Sequence, residues 1–159
     1  MALLRDLDIQ PPFSVDVFCE RLGERRGIPI RLIEWSLPVP GPFGLWMSRP
    51  HEDCIFFQKE TTPTHQRHII LHEIGHIVSE HDSDLEPIEP MELGQGLPTG
   101  WTWRGLRRTC YSEAYEREAE EVASTILEWA EAVDRIIPPL SSSRFESLYR
   151  SLNTRRGWL

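Results

Sequence analysis

Apolar residues recur at helical spacing in four segments of the chain, and residues that start or stop helices flank these segments. In the first segment, Ser14 is a favourable N-cap and Gly27 stands where a C-cap glycine belongs. A later helix can start at Thr62 or Thr64, because Pro63 suits a first helical turn. The predicted helices cover about residues 15–26, 63–80, 112–137 and 144–152.

Three shorter segments, residues 28–35, 43–48 and 53–59, have the alternation or the aromatic and β-branched content that favours strands. The four residues between the second and third strands suit a hairpin. The sequence therefore predicts an α+β fold, in which a small antiparallel sheet of about three strands packs against the helices. A chain of 159 residues is long enough for one domain with a sizeable core, so residues 1–159 are predicted to form a single domain.

Three segments lie outside these elements. Residues 1–12 are predicted to form an N-terminal arm or short turn, and residues 153–159 a loose tail. Residues 83–111 form a long connecting segment with no clear period, and they include Trp101, Trp103 and several arginines. A connection of this length inside a compact domain is usually functional or mobile.

Composition limits the location and the partners of the protein. The formal net charge of −8 argues against broad binding to nucleic-acid phosphates. The three cysteines form no Cys-x-x-Cys pair, which indicates reduced and mostly buried thiols. The N-terminus lacks the pattern of a signal peptide, and no apolar run reaches the length of a membrane span. We therefore expect a cytoplasmic protein that does not cross a membrane.

The second predicted helix contains His72-Glu73-Ile74-Gly75-His76, an H-E-x-x-H motif. Residues four apart share one face of a helix, so both imidazoles can reach a single metal ion. The apolar residues around the motif indicate a buried helix, and a metal ion would satisfy buried histidines. The motif predicts a Zn²⁺ site with His72 and His76 as ligands and Glu73 as the general base.

The third ligand is expected from the acidic start of the 112–137 helix, because a catalytic zinc ion usually takes three protein ligands. Glu118 directly precedes the stripe of small residues that begins at Ala119, so Glu118 is the predicted third ligand. Glu121 shares a side with Glu118 and is the rival, either as a ligand or as a partner of a ligand histidine. Glu120 is predicted to point further from the stripe.

The remaining histidines are not predicted to bind the metal. His68 lies one turn before His72, but three histidines in a line along one helix do not surround a zinc ion tetrahedrally. His68 is therefore expected to pack or to line the cleft. His81 is five residues after His76 and lies off the ligand face. The predicted candidates for stabilising a tetrahedral oxyanion are Tyr111, Tyr115, His81 and an arginine of residues 104–108.

In this order of elements, residues from about Ser14 to Pro139 resemble the ImmA/IrrE-type metallopeptidases. The similar motifs are the strand Gly44-Leu45-Trp46, the run from Gln66 to His76 and the segment Glu116-Arg117-Glu118-Ala119-Glu120-Glu121-Val122-Ala123. The last of these is similar to that family's Glu-x-Glu-Ala-Asn/Asp-x-Phe-Ala, although Glu120 replaces the usual Asn or Asp. The resemblance implies a zincin-like fold in which His72, His76 and Glu118 bind zinc and Glu73 is the base.

Two functions fit this pattern. The first is a zinc-dependent endopeptidase that cleaves or regulates a protein partner, and the resemblance implies a helix-turn-helix repressor as that partner. The second is a non-catalytic zinc-binding component of a regulatory or toxin–antitoxin pair that acts by protein–protein interaction. In the second case the Trp- and Arg-bearing segment 83–111 would be the partner surface, because these residue types dominate interface hot spots.

Overall fold

The computed structural model describes residues 2–41, 43–49, 51–81 and 112–136. The elements in these ranges are α1 (Ala2–Asp6), α2 (Val15–Arg26), β1 (Ile30–Trp35), β2 (Gly44–Ser48), β3 (Asp53–Gln58), α3 (Pro63–Val78) and α4 (Glu113–Ile136). The α+β class is therefore confirmed. The predicted connecting segment 83–111, the predicted C-terminal helix and the tail 153–159 lie outside the described residues.

The helix ends follow from local capping, as the sequence predicts. The Ser14 hydroxyl accepts a hydrogen bond from the backbone N–H of Val17 at the start of α2. Gly27 ends α2 in the left-handed conformation with φ 71°, which is accessible to glycine at low cost. Thr62, rather than Thr64, caps α3, and Pro63 is the first helical residue.

The sheet is mixed, so the prediction of an antiparallel sheet is wrong for one strand. Its order is β1-β3-β2; β2 and β3 form the predicted antiparallel hairpin, whereas β1 runs parallel to β3. Trp35 at the end of β1 is opposite Gln58, and Gly44 at the start of β2 is opposite Phe57. The chain between β1 and β2 therefore crosses the end of β3. The Gln58 side-chain amide secures this crossing by donating to the carbonyl of Leu37 at 3.0 Å.

The central strand β3 is buried along its whole length and separates two apolar clusters. The larger cluster contains apolar side chains of all four described helices, and the smaller one lies on the other face of the sheet. Leu4, Leu7 and Ile9 belong to the larger cluster and are at most 6% exposed. The N-terminal segment therefore contains a short helix packed into the core, where the sequence predicts an arm or short turn.

The two cysteines in the described ranges are buried free thiols, which agrees with the expected cysteine usage. Burial raises the pKa of the Cys19 thiol to about 12 and that of the Cys54 thiol to about 11. Both side chains therefore stay protonated near neutral pH and act as small apolar groups. Within the described ranges, none of the helices combines the length and the apolar character needed to cross a membrane.

A buried carboxylate joins α2 to the hairpin. Asp53 is fully buried at the start of β3, and it accepts hydrogen bonds from the Arg26 guanidinium at 2.6 Å and the Trp46 indole at 3.1 Å. Removing one partner of a buried ion pair leaves the other partner without its compensating charge. Asp53 therefore holds the C-terminal turn of α2 against the sheet.

We expect Asp53→Ala to lower the free energy of unfolding by about 3 kcal/mol, near the lower end for breaking a buried pair. The lower end applies because the Arg26 side chain is 27% exposed and can still reach water. Urea denaturation measures the change. Glu60→Ala is the matched control, because this exposed carboxylate accepts a hydrogen bond from the Ser36 hydroxyl at the surface, and its loss should change stability by less than about 0.5 kcal/mol. Equal changes in the two variants would contradict a structural role for Asp53.

Candidate metal centre

Helices α3 and α4 approach closely at a glycine within the H-E-x-x-H motif. A Cβ atom built on Gly75 would lie only 2.7 Å from the backbone of Ala119, which is closer than any side chain tolerates. Gly75 and the small Ala119 therefore permit the helices to touch here. Glu116 lies one helical turn before Ala119 on the same face of α4, so the contact brings its carboxylate to the histidines of α3.

Three side chains converge beside this contact. The Nε2 atoms of His72 and His76 are 3.2 Å apart, and a Glu116 carboxylate oxygen lies 3.2 Å from His72 Nε2. The other Glu116 oxygen is 4.0 Å from His76 Nε2. Their ligand atoms all lie within 4.8 Å of one another, and within the described ranges these residues are the group that could hold a metal ion. The His76 side chain is 1% exposed and that of Glu116 38%, so the group is buried on the α3 side and open towards α4.

Glu118, the third ligand predicted from the sequence, does not join this group. Its carboxylate lies 3.3 Å from Nε2 of His81, and its side chain is 56% exposed. Glu118 precedes Ala119 by one residue, which rotates it about 100° from Ala119 around the helix, whereas Glu116 precedes Ala119 by nearly a full turn. Glu121, the predicted rival, is exposed.

Glu120 contacts two histidines of α3, although the sequence predicts that it points further from the stripe of small residues. Its carboxylate lies 3.0 Å from His68 Nε2 and 3.5 Å from His72 Nδ1. Burial raises the pKa of the Glu120 carboxyl, but its contacts with His68, Ser124 and His72 outweigh this effect and keep the pKa below its ordinary value. Glu120 is thus a charged outer partner of His72, and His68 contacts Glu120.

His81 contacts His76, a contact that the sequence pattern does not indicate. It is 3% exposed, and its Nδ1 lies 3.0 Å from His76 Nδ1. Helix α3 ends at Val78, and Glu80 then adopts a left-handed conformation with φ 55°, so helical spacing no longer applies to His81. Glutamate rarely adopts this conformation, and no local signal in the sequence indicates the turn.

Of the candidates for oxyanion stabilisation, Tyr111 and the arginines of residues 104–108 lie outside the described residues. His81 lies on the Nδ1 side of His76, away from the nitrogen that faces His72. The Tyr115 ring stacks on His81 with centroids 4.1 Å apart and planes 15° apart. His81 therefore packs beside His76, and Tyr115 packs on the far side of this contact, against the His81 ring.

The side chain of Glu73, a residue of α3, packs against Gly44, the first residue of β2. It is 3% exposed, and a Cβ atom built on Gly44 would lie 2.6 Å from its Oε1 atom. The same Cβ would lie 2.5 Å from a methyl carbon of Ile69. The absence of a side chain at Gly44 thus leaves the space that the Glu73 carboxylate occupies. Glu73 is not part of the group of three potential ligands.

Comparison with known proteins adds no information to the geometry of this site. No family model, no curated protein and no solved structure matches the chain. The resemblance to the ImmA/IrrE-type metallopeptidases therefore stays a prediction that rests on the motifs. Any assignment of function depends on the side chains that α3 and α4 bring together.

Proposed function

We propose that this protein is a zinc-dependent peptidase in which His72, His76 and Glu116 bind Zn²⁺ and Glu73 is the general base. The convergence of two Nε2 atoms and one carboxylate at the contact between α3 and α4 carries the proposal. It differs from the sequence-based assignment in one ligand, because Glu116 replaces Glu118.

The donor set suits zinc. Two imidazoles and one carboxylate are the ligands of a well-known class of catalytic zinc site, which keeps a fourth position for water. Zn–N bonds of about 2.0–2.1 Å in a tetrahedral arrangement put neighbouring ligand atoms about 3.3 Å apart. Two separations within the group, both 3.2 Å, are close to this value, and the Glu116 carboxylate lies further from His76 Nε2, at 4.0 Å. When bound there, zinc would polarise a substrate carbonyl and lower the pKa of a water molecule.

The chain's own residues would supply the proton transfers. Glu73 directly follows a proposed ligand in the helix, so its carboxylate is within reach of a water molecule between His72 and His76. It would accept a proton from that water and later donate the proton to the leaving amine. Its burial against Gly44 limits the space available to the carboxylate, which would help to orient it towards the water molecule.

The substrate class follows from the resemblance of the α3 and α4 motifs to the ImmA/IrrE-type metallopeptidases. We propose a regulatory protein with a helix-turn-helix domain as the substrate or partner. The alternative of a non-catalytic zinc-binding component shares the metal site but has no turnover. Metal binding and cleavage therefore have to be measured separately.

The proposed function is tested first by metal analysis of the purified full-length chain and of its His76→Ala variant. We expect one zinc ion per unmodified chain and none in the variant. The second step incubates the zinc-loaded protein with a peptide library made from a whole-cell protein digest, and with any helix-turn-helix regulator encoded beside it. New termini detected by mass spectrometry support a peptidase. Zinc without cleavage of either material would favour the non-catalytic alternative, and no zinc would refute both.

We expect Gly44→Ala to lower the cleavage rate on the order of 100-fold with little change in zinc affinity, because a displacement of about 1 Å at a reacting group has an effect of this size. The added methyl group meets the Glu73 carboxylate and the γ2-methyl group of the buried Ile69, so the Glu73 side chain has to shift to make room for it. Peptide cleavage and zinc content are measured on the same preparation. Ser48→Ala at the other end of β2 is the control and should match the unmodified protein. Loss of zinc in Gly44→Ala would contradict a role limited to Glu73.

A further inference from the structure

We propose that His81 and Glu118 form an orienting chain for the zinc ligand His76, and this inference rests on the proposed function. The contacts run from His76 Nδ1 to His81 Nδ1 at 3.0 Å and from His81 Nε2 to the Glu118 carboxylate at 3.3 Å. The nitrogen of His76 that faces His72 and Glu116 is the other one, Nε2. The orienting chain therefore begins at the nitrogen of the His76 imidazole that does not face His72 and Glu116.

The groups at the two ends of the orienting chain, His76 and Glu118, favour one arrangement of protons. A neutral imidazole that binds a metal through Nε2 carries its proton on Nδ1, so His76 must donate to His81. His81 then accepts at Nδ1 and carries its own proton on Nε2. The Glu118 carboxylate is placed to accept a hydrogen bond from a proton on His81 Nε2, so this contact favours the same tautomer of His81. Both ends favour the form of His76 that presents a free Nε2 lone pair to the metal.

The surroundings of His81 hold its ring in place. His81 is 3% exposed, and the Tyr115 ring stacks on it in a nearly parallel orientation. Tyr115 and Glu118 are three residues apart and therefore share one flank of α4. Glu116 and Glu120 are four apart and share the neighbouring flank, where Glu120 lies 3.5 Å from His72 Nδ1. Helix α4 thus provides a proposed ligand, an outer partner for His72 and a carboxylate that contacts His81, the outer partner of His76.

Outer partners of metal-bound histidines contribute to metal affinity because they fix the tautomer and the ring orientation. Glu118 is then a positioning residue, which explains why an acidic side chain stands at this half-exposed position without joining the ligands. His81 likewise acts through His76 and not on the substrate. We expect the hydrogen bonds of His81 and Glu118 to raise the zinc affinity of the protein even when no substrate is present.

The test measures zinc affinity of the full-length protein by competition with a chromogenic chelator. His81→Phe keeps a ring to stack on Tyr115 but removes both hydrogen bonds, and it should weaken zinc binding by about 10–100-fold. In His81→Gln the side-chain oxygen can accept from His76 while the amide group donates to Glu118. This variant should recover affinity to within a factor of about three of the unmodified protein, since it restores the outer hydrogen bonds.

A substitution at the protein surface tests the same hydrogen bonds without changing the buried His81, whose variants can misfold. Glu118→Ala should weaken zinc binding by about 10-fold, whereas Glu121→Ala, an exposed glutamate of the same helix, should leave it unchanged. The visible spectrum of the cobalt-substituted protein reports the ligand geometry, and we expect it to change in His81→Phe and to return in His81→Gln.

The outcomes separate this inference from the proposed function. Unchanged zinc affinity in both His81→Phe and Glu118→Ala would overturn the orienting chain while leaving the zinc site intact. Equal losses in His81→Phe and His81→Gln would overturn it too, because packing and not hydrogen bonding would then be responsible. Failure of the unmodified protein to bind zinc would overturn the proposed function, and this inference with it.

Discussion

Replacing Glu73 by glutamine is expected to abolish detectable peptide cleavage while the zinc content stays at one ion per chain. Glutamine has nearly the same shape as glutamate, so it fits the buried space beside Gly44. Its amide cannot accept and then return the water proton, and general base catalysis typically contributes about 10²–10⁴-fold in rate. The fold and the three proposed ligands are untouched by this change, so zinc affinity should not fall.

The measurement compares initial cleavage rates and zinc content in the same preparations of Glu73→Gln, Glu121→Gln and unmodified protein. Glu121→Gln removes the same charge from an exposed position of α4 and should retain full activity. Full activity in Glu73→Gln would refute the assignment of the base. Loss of zinc from Glu73→Gln would show instead that this carboxylate supports the metal site, and the role of Glu73 would have to be revised.

The second large effect concerns the choice between two neighbouring glutamates. Glu116→Ala should weaken zinc binding by more than the roughly 100-fold that is the upper range for an outer partner, because it removes one of three protein ligands. Glu118→Ala should lose about 10-fold, since it removes only a contact with His81. Both residues lie in the first turns of α4, so the two substitutions perturb the helix to a similar degree.

Chelator competition on both variants, with circular dichroism to verify the helix content, decides between the assignments. A larger loss in Glu118→Ala than in Glu116→Ala would favour the ligand set predicted from the sequence motif. Equal and small losses would indicate that neither carboxylate binds the metal. The expected order follows from the 3.2 Å distance between Glu116 and His72, compared with the contact of Glu118 to His81.

The site is only partly predictable from the sequence because its parts depend on interactions of different range. His72 and His76 share a face because of the helical repeat, and this relation holds wherever the helix lies in the fold. The third ligand depends on which face of α4 meets α3. The close contact of Gly75 with Ala119 decides this, and both small residues are visible in the sequence. Counting back one turn from Ala119 leads to Glu116, whereas adjacency in the sequence suggests Glu118.

The sequence by itself determined the features that depend on neighbouring residues. The caps at Ser14, Gly27 and Thr62 set the ends of α2 and the start of α3, and a short connection made β2 and β3 a hairpin. Capping and hairpin formation depend on hydrogen bonds within a few residues, so a local pattern is sufficient to indicate them. The H-E-x-x-H spacing belongs to the same category.

Only the tertiary structure decided the features that depend on distant contacts. The parallel pairing of β1 with β3, the burial of Leu4 in the core and the placement of Glu116 against His72 each join segments far apart in the chain. The position of His81 depends on the left-handed backbone of Glu80, which glutamate adopts only when its surroundings enforce it. Packing selects among arrangements that local preferences leave nearly equal in energy, and for this reason the approach of Glu116 to His72 is a property of the folded chain.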